Sequence, residues 1–194
     1  MIETRMTERE FEELKRKLEM LVRLCGDFEP TVRELIEGNE VPFMGWPASI
    51  SKHQTREHGL LEHTVDVAET VQEQAEPRGL NVGVVMAAAL LHDIGKVKAY
   101  AYLPVYAFGD RDISSRLRTQ DGELLGHVAI SYNMVSAVCK NTHLLHIILS
   151  HHGRQEWGSP VEPKTKEAWL VHLADMISSR VGGDPDRPNS EVRT

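Results

Sequence analysis

The sequence predicts an all-α protein, and three observations carry that expectation. Apolar residues recur at helical intervals, through Phe11, Leu14, Leu18, Leu21 and Val22 and again through Leu61, Val65, Ala68 and Val71. Helix start and stop signals bracket these runs: Thr7 three residues before Glu10, Pro30 and Gly38 around a short apolar segment, and Pro77 with Gly79 after a long one. The stretch 82–93 is almost wholly apolar and rich in alanine, as suits a helix buried at the centre of a bundle.

In chain order, Thr7-Glu8-Arg9-Glu10 has capping-box spacing and predicts a helix over 7–24 that ends near Gly26. A short helix follows over 29–37, entered by Pro30 and closed by Gly38. VPFMGWP, 41–47, reads as a loop with aromatic anchors. Helices are expected over 60–76 and 82–93, the second ended by Gly95. Residues 98–109, rich in Tyr, Val and Phe and interrupted by Pro104, suggest a short extended piece. Two helices over 126–140 and 142–151, a Gly/Pro-marked loop over 153–163, and a last helix over 165–181 complete the domain. Residues 1–45 are expected to be a helical extension packed on a core of 46–181, with 182–194 a flexible tail.

The 194 residues suffice for one domain with a substantial core, and 41% hydrophobic with 26% charged residues is ordinary for a globular protein. The longest apolar stretch is far below the roughly 20 residues a membrane-spanning helix requires, so no membrane partner is expected. The charged N-terminus shows no secretory signal, and Cys25 and Cys139 lack CxxC spacing, which points to reduced thiols in a cytoplasmic protein. A net charge of −7 argues against a surface coated in positive potential for duplex nucleic acid.

Chemistry concentrates in the ten histidines. Four lie in three compact signals, His92 with Asp93 in LLHDIGK, His127 in GHV, and His151 with His152 in SHHG. His63 in GLLEHTVDVA and Asp175 in VHLADMISSR extend the series. Imidazoles and carboxylates together suit borderline and hard divalent metals such as Mn, Fe, Co, Ni, Zn or Mg. Successive helical residues point about 100° apart, so His92 and Asp93 can serve one site only near a helix terminus. An aspartate there offers two oxygens and can bridge two ions.

The ordered pattern H…HD…H…HH…D resembles the HD-domain phosphohydrolase superfamily. GLLEHTVDVA, LLHDIGK, GHVAISYNMVS and SHHGRQEWGSPVEPKTKEAWLVHLAD are most similar to the catalytic module of YhaM-type 3′-to-5′ exoribonucleases, over roughly 53–180. The resemblance implies an HD-domain helical bundle with an N-terminal helical extension and two divalent metal ions. One ion would be held by His63, His92, Asp93 and Asp175, and Asp93 would bridge to a second held by His127, His151 and His152. It implies hydrolysis of phosphate esters, in nucleotides or in single-stranded nucleic acid. Asp93 and Lys96 are the candidate catalytic residues. YhaM-type proteins carry an OB-like region before this module, whereas the first 45 residues here read as helices, which favours a small nucleotide as the alternative substrate. A third alternative is a regulatory module that binds metal or nucleotide without turnover.

Other residues keep two readings. Lys96 can meet a phosphoryl oxygen or form a salt bridge. Arg111, Arg116 and Arg118 can contact phosphates or form a solvated charged loop. Arg154 and Trp157 can clamp a phosphate and stack on a base, or Trp157 can pack against neighbouring helices. His172, one turn before Asp175, suits a role orienting a ligand. His143 and His146 are expected to be structural, and His53 and His58 to border the pocket or lie on the surface.

Overall fold

The capping box at Thr7 forms. Thr7 Oγ1 accepts from the Glu10 backbone N–H at 3.3 Å, and Glu10 Oε2 accepts from the Thr7 N–H at 2.7 Å. Helix α1, Glu8–Arg23, follows directly. The structure, a computed structural model, describes residues 6–49, 57–102 and 116–181. Helix α2 is Glu29–Glu37, with Pro30 in its first turn, where the missing N–H of proline costs no hydrogen bond.

The expected loop over 41–47 is instead largely helical: α3 is Glu40–Gly45. Pro42 falls in its first turn, where proline is tolerated, and Phe43 is buried in the core. Packing of one aromatic side chain thus outweighs the loop-like composition.

Helix α4, Gly59–Ala75, and α5, Val82–Leu91, form the centre of the bundle. Every residue of α5 from Val84 to Leu91 is buried, so the apolar run needs no amphipathic stripe. Helices α1, α2, α4 and α5 contribute to one continuous core. After α5 the chain turns through His92–Gly95 into the short α6, Lys96–Ala99, and then β1, Tyr100–Tyr102. Strand β1 pairs antiparallel with β2, Arg116–Arg118, in the register Tyr100↔Arg118. An extended piece therefore exists where one was expected, although most of 98–109 lies outside the described residues.

The helix expected from 126 begins earlier. Helix α7 is Gln120–Val138, N-capped by Thr119 and broken at Gly126, whose φ of 73° departs from helical geometry. Helix α8 is Thr142–Ser150 and α9 is Lys166–Arg180. Both carry side-chain N-caps: Asn141 accepts from Leu144 N–H, and Thr165 accepts from Ala168 N–H. Helix α9 packs on α4, α5 and α8, and α7 packs on α6 and α8. The expected tail over 182–194 lies outside the described residues. No helix among the described residues is long and apolar enough to cross a membrane.

Candidate metal centre

Five helices deliver the candidate ligands, three of them from a helix end or an interrupted turn. His63 stands in the second turn of α4, and His92 is the C-cap of α5 with Asp93 next in the turn. His127 follows the break at Gly126, His151 is the C-cap of α8 with His152 beyond it, and Asp175 lies on α9. At such ends, adjacent residues such as His92 and Asp93 escape the angular spread of an uninterrupted helix.

Gly95 has a different role from the one expected of it. Its φ of −62° is ordinary right-handed backbone, so it does not end α5 through a left-handed turn. A Cβ at Gly95 would lie 2.3 Å from the His127 carbonyl oxygen and 2.5 Å from the Ser131 nitrogen. Glycine is needed because α7 presses against this turn, and Ser131 Oγ accepts from the Gly95 N–H at 2.8 Å. The approach brings His127 to Asp93.

The ligand atoms form two groups, His63 with His92 and Asp175, and His127 with His151 and His152. Within each, the candidate atoms lie within 4.8 Å of one another. Asp93 stands between the groups. Its Oδ2 is 3.3 Å from His92 Nε2 and 3.4 Å from His63 Nε2, while Oδ1 is 3.3 Å from His127 Nε2 and 3.7 Å from His151 Nε2. Asp175 Oδ1 approaches His63 Nε2 at 3.1 Å.

The second ring nitrogens are committed elsewhere. Nδ1–H of His92 donates to the Ala89 carbonyl at 2.8 Å, that of His151 to Ile148 at 2.7 Å, and that of His152 to Trp157 at 2.7 Å. A carbonyl can only accept, so each neutral ring presents the lone pair of Nε2 to the centre. His63 Nδ1 is hydrogen-bonded to Ser178 Oγ at 2.9 Å. His92 Nε2 lies 3.3 Å from His63 Nε2, and His127 Nε2 lies 3.2 Å from His152 Nε2. Ring nitrogens crowd one another in the buried centre, and among the described residues Asp93 Oδ1 and His151 Nε2 have no hydrogen-bond partner. An unsatisfied buried polar group costs about 1–3 kcal/mol, so the donor set fits divalent cations, which would satisfy every one of these atoms.

Electrostatics agree. Burial opposes ionisation of Asp93, but the Lys96 ammonium and then His92 and His63 hold its carboxyl well below the usual range. Burial likewise opposes ionisation of Asp175, and the hydrogen bond from His63 overcomes it. Burial pushes His127 down to about 3, and lowers His151 and His152 as well. Burial would also lower His63, but its hydrogen bonds to Asp175 and Asp93 raise it. Lys96 is buried, yet Asp93 keeps it cationic, and its Nζ donates to Asp93 Oδ2.

A cleft of about 650 Å³ opens over the centre, lined by Asp93, Lys96, His127, His152 and Asp175 and rimmed by Tyr100, Arg118, Trp157 and Arg180. Of the expected substrate contacts, Trp157 lines this cleft. Arg154 does not; its guanidinium carbon sits 5.2 Å from the Trp157 ring centroid. Arg111, the side chain of Arg116 and His53 lie outside the described residues.

The remaining histidines are placed clearly. His172 Nδ1–H donates to the His151 carbonyl at 2.8 Å, supporting the ligand turn through its backbone. Its ring occupies the space that a Cβ on Gly153 would need, only 2.4 Å from Cε1. His58, with φ of 65°, bonds the Met44 carbonyl at 2.6 Å and packs on Phe11, away from the cleft. His143 bonds Thr165 Oγ1 at 3.1 Å, and His146 Nε2 accepts from Lys164 N–H at 3.0 Å. Sequence reasoning missed Ser178 and Arg180. Ser178 carries a faint signal, three residues after Asp175 and so on the same helix face. Arg180 carries none beyond its place at the end of α9.

The HD domain family model matches residues 60–180. The 3′-5′ exoribonuclease YhaM of Bacillus subtilis (strain 168) is 33% identical over 158 residues, covering 77% of this chain and 47% of that protein. The 3′-5′ exoribonuclease YhaM of Shouchella clausii (strain KSM-K16) is 32% identical over 162 residues, covering 77% of this chain and 46% of that protein. The chain thus spans about half the length of the curated relatives it matches. No solved structure matches the chain significantly. With the family model matching most of the chain and two groups of metal-ligating side chains brought together, the chain belongs to the HD-domain family of metal-dependent phosphohydrolases.

Proposed function

We propose that the chain is a dinuclear phosphodiesterase acting on single-stranded nucleic acid. His63, His92, Asp93 and Asp175 would hold one ion, and Asp93, His127, His151 and His152 the other. The observation that carries this reading is the division of Asp93, whose two oxygens each face a different histidine group. The names of the relatives support a nucleic-acid substrate.

Bound divalent ions would supply Lewis-acid polarisation of a phosphoryl oxygen and would lower the pKa of water so that hydroxide is available near neutral pH. The protein's own groups supply orientation and charge. The Nδ1–carbonyl bonds hold His92, His151 and His152 in one tautomer and one ring orientation, so the donor lone pairs are set before any ion arrives. Lys96 keeps Asp93 ionised and places a positive charge at the cleft wall, where negative charge grows on the phosphoryl oxygens during displacement. The charged side chains of the cleft balance, with Lys96, Arg118 and Arg180 against Asp93, Asp175 and Glu156. Two divalent ions would therefore make the cleft strongly cationic within a chain of net charge −7, which suits a polyanionic substrate.

The test is metal analysis together with Mn²⁺-dependent hydrolysis of bis-p-nitrophenyl phosphate for the wild type, Asp93→Ala and His92→Ala. We expect two equivalents of metal and turnover in the wild type, with both reduced in the variants. Undiminished hydrolysis in both variants overturns the proposal.

A further inference from the structure

Trp157 is 44% exposed, and its ring already has three partners. His172 stacks on it at 6.1 Å between centroids and 26° between planes, and the guanidinium carbons of Arg154 and Arg180 lie 5.2 Å and 6.0 Å from its centroid. A tryptophan so engaged is a good clamp for a guanidinium, which stacks flat on an aromatic face. Of the two arginines it holds, only Arg180 lines the cleft.

Arg180 is exposed and forms no ion pair with a described residue. It sits at the end of α9, five residues beyond Asp175, on the wall formed by that helix and the 155–160 loop. The hairpin and the start of α7 contribute another part of the lining, with Arg118 beside Tyr100. Arg118 is also half exposed, and its carboxylate neighbour among the described residues, Glu123, is 3.9 Å away and similarly solvated, a contact too weak to neutralise it. Both segments line the same cleft as Asp93, His127, His152 and Asp175. Two arginines from separate wall segments, neither tied up by an acid among the described residues, can reach phosphates other than the one being hydrolysed.

We propose that Arg118 and Arg180 are specificity-determining residues that bind the phosphates flanking the scissile one, and that Trp157 acts by holding Arg180 flat for this contact. The inference rests on the nucleic-acid reading above. A cleft of about 650 Å³ is of small-ligand size and would hold only a few nucleotides of one strand.

Two measurements test it. The first is the affinity of the whole chain for 5′-fluorescein-labelled hexa-adenylate in EDTA, read by anisotropy across a salt series. Each phosphate contact to a single strand contributes about 0.7 to the slope of log affinity against log salt. Arg118→Ala and Arg180→Ala should each lower that slope by about 0.7. Trp157→Ala should weaken binding as Arg180→Ala does and add nothing in the Arg180→Ala background. Arg180→Lys separates the roles: a charge that merely offsets the α9 dipole is restored by lysine, whereas the clamped guanidinium is not.

The second is the ratio of kcat/KM for the hexamer to kcat/KM for bis-p-nitrophenyl phosphate, with Mn²⁺. That ratio should fall about tenfold in Arg118→Ala and in Arg180→Ala, corresponding to roughly 1.4 kcal/mol. An unchanged slope and ratio in both variants, or no hexamer binding by the wild type, overturns the inference. A further loss when Trp157→Ala is added to Arg180→Ala overturns the clamp. Binding in EDTA needs no turnover, so failure of the two arginines is distinguishable from failure of the dinuclear reading, which would show as no hydrolysis of either substrate by the wild type.

Discussion

His127 Nε2 lies 3.3 Å from Asp93 Oδ1, on the oxygen that His63 and His92 do not approach. One carboxylate therefore serves two separate groups of imidazoles. Removing it should affect both. Asp93→Ala is expected to release metal from both groups and to lower hydrolysis by more than about 100-fold, beyond the 10–100-fold typical of partners outside the ligand shell. Metal content by mass spectrometry and bis-p-nitrophenyl phosphate kinetics check this. His127→Ala should instead remove the second equivalent and spare the first.

Ser178 touches no candidate metal position but bonds His63 Nδ1 at 2.9 Å within the buried core. Ser178→Ala should weaken metal binding about 10–100-fold, because the His63 ring loses the bond that sets its orientation. Ser178→Thr, which keeps the hydroxyl, should bind metal more tightly than the alanine variant. Calorimetric titration of metal-stripped protein with Mn²⁺ reads both.

The two groups should differ in their response to acid. A histidine must be deprotonated to ligate an ion, so a raised imidazole pKa lets protons compete at higher pH. His63 is raised above its ordinary value, whereas His127 is pushed down to about 3 and His151 and His152 are lowered with it. As pH falls from about 8 to about 6, the ion of the His63 group should leave first, and the other should persist. Metal content after equilibrium dialysis at each pH, in the wild type and in His127→Ala, tests the order. Simultaneous loss would contradict it.

Gly95 has no room for a methyl group, since a Cβ would lie 2.3 Å from a backbone oxygen and 2.5 Å from a backbone nitrogen. Neither can rotate away. Gly95→Ala should destabilise the protein by about 1–3 kcal/mol, the usual cost of overpacking. For a chain of this size each kcal/mol lowers Tm by about 2–4 °C, which a thermal melt resolves. Because the displaced atoms belong to His127 and Ser131, metal content should fall as well.

The cysteines should differ in reactivity. Burial pushes the Cys25 thiol up to about 12, whereas Cys139 is only partly buried. The thiolate is the reactive form, so Cys25 should stay silent towards a disulfide reagent near pH 8 until the protein unfolds. Thiol counting before and after denaturant, with Cys139→Ser as the control, should show Cys25 appearing only on unfolding.

Helix positions were legible in the sequence because their signals are local. The Thr7 capping box, Pro30 and Gly38, and the apolar run of α5 each act within a few residues. The helix over 40–45 was not legible, because burial of Phe43 decides it. Nor was the early start of α7, because its first turns lie before the break at Gly126 and lack an obvious apolar stripe.

The sequence by itself determined which side chains could ligate, since imidazoles and carboxylates stand beside helix ends in HDIGK, GHV and SHHG. Only the tertiary structure decided how they divide. The split of Asp93 between two groups, the bond between Ser178 and His63, and the contact of the Arg180 guanidinium with the Trp157 ring join residues far apart in the chain. Such contacts depend on how closely α4, α8 and α9 pack around α5 and α7 packs on α6 and α8, and that closeness is set by many buried side chains together rather than by any local pattern.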